Sequence, residues 1–163
     1  MKLKIKSIKQ ALALGLGLLS YSALAADNTI TAENLATLQS VGQVQVSPDG
    51  ESIAFTRSIP REIYVEKDGK NWGELYLVDD KGVERPFITG KVNIRNIQWS
   101  NDGAFIYFLA KMKGDKHTAL YQIASDGGQA QKLIGLKNTS VNYYSLSEDN
   151  PSWRLHFSIG ADL

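Results

Sequence analysis

The sequence predicts an all-β fold, a partial β-propeller of about two and a half four-stranded antiparallel blades set after a leader and a short helix. Three observations predict it: a turn that recurs, a fixed placement of large apolar residues behind each turn, and a later strand landmark that returns in register. The turn is Ser47-Pro48-Asp49-Gly50, held between Val44-Gln45-Val46 and Ile53-Ala54-Phe55. Pro48 presets φ for a type I turn, Asp49 can bond back to its own backbone, and Gly50 tolerates positive φ. It returns as Ser100-Asn101-Asp102-Gly103 and, with asparagine in the glycine's place, as Ser147-Glu148-Asp149-Asn150. The spacings from Ser47 to Ser100 and from Ser100 to Ser147 are 53 and 47 residues, within the range of propeller or solenoid repeats.

Behind each turn the large apolar residues sit four and six positions past the aspartate: Ile53 and Phe55, Ile106 and Phe108, Trp153 and Leu155. That alternation is one face of a strand. Leu75-Tyr76-Leu77-Val78 and Leu120-Tyr121-Gln122-Ile123 form the second landmark, 45 residues apart. Each runs into a polar turn and a last short strand, giving the four strands of a propeller blade.

Residues 1–25 read as a secretory signal peptide: Lys2, Lys4, Lys6 and Lys9, an apolar run from Ala11 to Leu19, then Ala23-Leu24-Ala25, with cleavage after Ala25. The apolar run is too short to span about 30 Å of hydrocarbon, so no membrane span is expected after cleavage. The expected destination is the periplasm or the medium. Losing four lysines would take the formal net charge from +1 to −3, which leaves no basic footprint for nucleic acid. The chain has no cysteine, hence no disulfide, thiolate metal site or lipid attachment point. With 43% hydrophobic and 21% charged residues in 163, it has the composition of a folded domain.

Residues 26–40 form a lead-in. Thr31 is placed to cap a short helix, Glu33 lies in its first turn, and Leu35, Leu38 and Val41 give it an apolar side expected to pack on the sheets. The incomplete propeller covers 41–163, with blades at about 41–90, 91–136 and 137–163, the third truncated. In the first blade, strands are expected near Gln43–Val46, Ser52–Ser58, Glu74–Asp79 and Glu84–Ile88. Its second and third strands are joined by a long excursion from Ile59 to Gly73, a length that is usually functional. Two and a half blades leave both ends of a ring open, which implies a piece of a larger propeller. A small sandwich or open stack, and association of identical chains into a ring, are the alternatives.

The residues assign no catalytic, cofactor-binding or metal-ligating site and no cofactor. Gly50-Glu51-Ser52-Ile53-Ala54 approximates a nucleophile elbow, but it ends in alanine and lies in a hairpin, so Ser52 reads as a strand residue. His117 reads as a solvated loop residue and His156 as a strand residue, neither with a second histidine at metal-ligand spacing. Asp79 and Asp80 read as turn residues. Trp99 reads as core, whereas Trp72, in the long excursion, is the tryptophan placed to meet a partner.

The mature chain resembles the N-terminal β-propeller of secreted peptidases of the prolyl oligopeptidase family, in the acylaminoacyl-peptidase and dipeptidyl-peptidase-like branch. Its carriers are Leu35 to Val41 feeding Val46-Ser47-Pro48-Asp49-Gly50, then Ile53-Ala54-Phe55-Thr56-Arg57, then Ile59-Pro60-Arg61 through Lys67-Asp68-Gly69 to Trp72-Gly73-Glu74-Leu75-Tyr76. The resemblance implies a propeller that filters access of peptides to a C-terminal α/β-hydrolase domain, which supplies serine, aspartate and histidine and is missing from this chain. The turn alone is equally similar to TolB-like periplasmic propellers, which implies the alternative of a non-enzymatic interaction platform.

Overall fold

The computed structural model describes residues 30–146. The expected signal peptide, the third turn from Ser147, Trp153 and His156 lie outside the described residues. All elements below belong to the compact unit Ala32–Leu163. After a five-residue helix, α1 (Ala32–Ala36), the chain is all β. Strands β1 (Ser40–Val46), β2 (Ser52–Ile59), β3 (Trp72–Asp79) and β4 (Glu84–Ile88) make one antiparallel sheet in chain order. Strands β5 (Arg95–Trp99), β6 (Phe105–Ala110), β7 (Ala119–Ala124) and β8 (Gln131–Ile134) make a second of the same topology. The expected strands fall within three residues of these bounds at either end.

The lead-in departs from expectation. No residue of α1 is buried, and Leu35 and Leu38 are exposed. Val41 belongs to β1, where it pairs with Arg57: strand pairing takes the residue that helical spacing had claimed.

Both hairpins are built alike. Gly50 and Gly103 have φ of +79° and +70°, and each donates its N–H to the carbonyl of the serine that opens the turn, at 2.9 Å. The Ser47 hydroxyl donates to Asp49 and accepts the Ser52 N–H at 2.9 Å; Ser100, Asp102 and Phe105 repeat this. A hydrogen-bonded serine hydroxyl and a backbone N–H hold each aspartate below the usual carboxylate range. The turns are therefore polar clips closed by short-range bonds, and they fix the register of the strands behind them.

That register sorts side chains into faces. Ala54 pairs with Leu77 and Thr56 with Leu75, so these four share the face of the first sheet that looks toward the second. Ile106 with Ile123, Phe108 with Tyr121 and Ala110 with Ala119 make the apposed face of the second sheet. Ile97 and Trp99 join them, and the two faces bury one continuous core. The opposite face of the second sheet carries Tyr107, Leu109 and Leu120, which pack against Val141 and Tyr144. The stacking is head-to-tail: Ile106 and Phe108 face the preceding sheet, while Ile53 and Phe55, at the same repeat positions, point away from the second.

The repeat extends to details. Phe55 stacks on Tyr76 with ring centroids 5.8 Å apart, and Phe108 on Tyr121 at 5.7 Å. Inner strands bulge at equivalent places, between Val41 and Val44 and between Arg95 and Gln98. Outer pairs do the same between Leu75 and Tyr76 and between Leu120 and Tyr121. Bulges re-aim side chains. The Gln43 side-chain carbonyl accepts the Ile97 N–H at 3.3 Å, and Asn96, 53 positions on, donates from its amide to the Tyr144 carbonyl at 3.2 Å. The Trp99 indole N–H donates to the Gln45 carbonyl at 3.0 Å.

The chain leaving the second sheet repeats one bond of the chain leaving the first. Ile94 donates its N–H to the Gly73 carbonyl at 2.8 Å; Val141 donates to Thr118 at 2.9 Å. Tyr144, wholly buried, donates its hydroxyl to the Asn96 carbonyl at 2.6 Å. The outward face of the first sheet has no such cover: Val41, Val44 and Val46 are 60, 49 and 57% exposed.

Three substitutions test this arrangement by urea denaturation. Leu77→Ala, emptying a buried site between the sheets, is expected to cost about 2–5 kcal/mol. Trp99→Phe, which leaves the Gln45 carbonyl without its partner, is expected to cost about 1–3 kcal/mol. Val44→Ser on the open face should stay within about 0.5 kcal/mol of the parent.

Candidate functional site

The chain between β2 and β3 does not wander; it is folded on its own side chains. Arg61 donates from Nε to the Lys70 carbonyl at 2.8 Å and from a terminal nitrogen to the Lys67 carbonyl at 3.1 Å. Its guanidinium lies over the Trp72 ring, 4.0 Å from the centroid. A planar fork can bond two carbonyls and stack at once, which a lysine cannot. Glu66 accepts the Trp72 indole N–H at 3.2 Å and the Glu62 backbone N–H at 3.1 Å. It also pairs with Lys91 at 2.8 Å, which ties this connection to the one between β4 and β5. These donors, Lys91 first, pull the Glu66 carboxyl down to about 2. At the tip Tyr64 has a φ of +66° and is fully exposed, between exposed Ile63 and Val65.

Two further carboxylates fasten the connections nearby. Glu74, buried in β3, accepts the Tyr76 hydroxyl at 2.8 Å and the Gly90 N–H at 2.5 Å. Asp115, in the connection from β6 to β7, accepts the Met112 N–H at 3.0 Å, the Tyr121 hydroxyl and the Lys132 ammonium. Burial pushes its carboxyl up, but these three donors outweigh burial and hold it below the usual range.

Between the two connections lies an open cleft of about 910 Å³. Trp72, Ile88, Val92 and Met112 give it apolar walls, and Lys91, Lys111 and Lys113 line it with charge. Among the described residues, Lys111 and Lys113 have no acidic partner. An apolar wall with a few placed polar groups is the usual make-up of a binding cleft.

Trp72 is thus where the sequence placed the tryptophan for a partner, although it opens β3 and its indole is already engaged by Arg61 and Glu66. Trp99 is buried, as read. Ser52 sits half-buried at the start of β2 and closes the turn. Asp79 accepts the N–H groups of Lys81 and Val83 at 3.0 and 2.8 Å, the turn role expected of it. His117 is half-buried, not fully solvated. It makes no hydrogen bond to a serine or carboxylate among the described residues. Sequence reading missed Arg61, Glu66, Lys91 and Asp115. Most of their partners lie within about a dozen residues but follow no periodic spacing, and only the recurring Tyr121 gave a signal near one of them.

No protein-family profile matches the chain. It is 30% identical over 108 residues to the uncharacterized peptidase YuxL of Bacillus subtilis (strain 168), a match covering 66% of this chain and 16% of that protein. It is 26% identical over 121 residues to dipeptidyl-peptidase 5 of Porphyromonas endodontalis, covering 74% of this chain and again 16% of the relative. The chain therefore spans about a sixth of the length of the curated relatives it matches. Over that part it is related to peptidases.

Because the carboxyl of Glu66 is depressed from 4.5 to about 2, its contribution is complete above pH 4.5 and is lost as the pH falls toward 2. Glu66→Gln is expected to be less stable than the parent at neutral pH and to flatten the acid limb of stability in that window. Urea midpoints of both proteins across that range measure the difference.

Proposed function

We propose that the chain is the substrate-gating and docking portion of an exported prolyl-oligopeptidase-family serine peptidase acting on peptides. In this reading the two sheets are the opening blades of a β-propeller, and the catalytic serine, aspartate and histidine belong to an α/β-hydrolase domain outside these 163 residues. The observation that carries it is the head-to-tail stacking of two four-stranded sheets of the same topology, with Val141 and Tyr144 packed on the far face of the second and Val141 bonded to Thr118 as Ile94 is to Gly73. Such a contact uses unlike faces, so it can repeat around an axis and close into a ring. The partial likeness to two peptidases gives the activity class. The lysine-rich leader with Ala23-Leu24-Ala25 supports export, with the mature chain starting at Ala26.

Two measurements test the reading. Purified chain incubated with aminoacyl and acyl-aminoacyl chromogenic substrates is expected to give no turnover; hydrolysis abolished by replacing one of its own serines would overturn it. Sequencing the gene beyond the codon for Leu163 should find a Gly-x-Ser-x-Gly elbow in frame. A stop after further repeats would instead favour a non-enzymatic TolB-like platform.

A further inference from the structure

We infer that the cleft between the β4–β5 and β6–β7 connections is a binding site for an acidic peptide segment, one in which carboxylate side chains flank an apolar residue. The inference stands apart from the peptidase reading, since a gate and an interaction platform could use such a site equally.

The charge balance points to the sign of the ligand. Every carboxylate near the cleft is already spoken for: Asp115 by Lys132, Tyr121 and the Met112 N–H, Glu66 by Lys91, Trp72 and the Glu62 N–H. Lys111 and Lys113 are left, two residues apart on one connection, both exposed and both lining the cleft. Their ammonium groups are uncompensated among the described residues, and with the one lining carboxylate, Asp115, neutralised by Lys132, the excess of positive charge concentrates ligands of the other sign.

The walls point to a peptide over a lone anion. Met112 lies between the two lysines and Trp72 lines the same cleft, its ring held by the Arg61 guanidinium. A methionine adapts to varied side chains, and an aromatic ring held in place presents contact area at little entropic cost. About 910 Å³ is at the upper end of what drug-sized ligands occupy and far more than one small anion fills. The free cations here are ammonium groups, point charges on flexible stems without the planar fork that favours bidentate capture of a phosphate.

The site can be probed with the full chain and a fluorescein-labelled pentapeptide alternating glutamate and leucine, followed by anisotropy. The acidic peptide should bind more weakly as salt rises, and its glutamine counterpart at least about fivefold more weakly at low salt. The double variant Lys111→Glu/Lys113→Glu should lose at least about fivefold for the acidic peptide and gain affinity for a lysine–leucine peptide. Lys81→Glu, in the exposed β3–β4 turn, should bind as the parent does. All three substituted residues are exposed, so an unchanged thermal midpoint separates lost binding from lost folding. Equal binding of the glutamine peptide, an equal loss in Lys81→Glu, or displacement of the peptide by an equimolar amount of inorganic phosphate would each overturn the inference.

Discussion

Each sheet is completed by the one that follows it. The inner strand of a four-stranded sheet brings polar backbone and a side-chain amide to its neighbour, and the neighbour answers with its own backbone and an indole. Gln43 with Ile97 and the Gln45 carbonyl with Trp99 are the polar part of that junction, and Asn96 bonds Tyr144 on the far side of the second sheet. The apolar part is the core shared by Ala54, Leu75 and Leu77 with Ile106, Phe108 and Tyr121. Burial supplies the larger share of the free energy, because area removed from water scales with every side chain in the contact. The bonds supply the register: a slip of one residue would leave donors and acceptors buried and unmatched, which costs more than the bonds gain.

The connections are ordered by a different device. There is little apolar material between β2 and β3 to bury, so the connections are held by carboxylates that each take one backbone N–H together with side-chain donors, and by a guanidinium that bonds two backbone carbonyls. Glu66, Glu74 and Asp115 each join one connection to a neighbouring strand or connection. The result is a set of stiff loops at one end of the sheets, with a cleft between them and an apolar tip, Ile63 to Val65, left in solvent. Stiff loops on a packed scaffold are where proteins place recognition.

How much of this could be read from the chain depends on how local its cause is. Ser47-Pro48-Asp49-Gly50 and its second copy were legible because the turn is made by bonds among a few adjacent residues. The strands behind them were legible because alternation is a property of one strand. The junction was only half legible: Trp99 could be assigned to the core, but nothing in the strand alternation marked Gln43 and Asn96, in equal positions of two repeats, because local bulges aim their side chains. The stacking of Phe55 on Tyr76 depends on which residue lies opposite which, and neither segment states that alone. Arg61, Glu66 and Lys91 gave no warning, since a loop network has no period. The helix was misread because Leu35, Leu38 and Val41 have helical spacing, yet pairing with β2 draws Val41 into a strand and leaves the other two in solvent.

The uncovered valines of β1 have a consequence for self-association. A surface that is its own complement can be closed by a twofold axis, and the pair then has nothing left to offer. In the propeller reading the face carrying Val41, Val44 and Val46 would receive the opposite side of another sheet, so a second copy docking there would bring an identical vacant face with it. Growth through that contact has a polarity: it ends in a ring if the rotation closes and runs on as a filament if it does not.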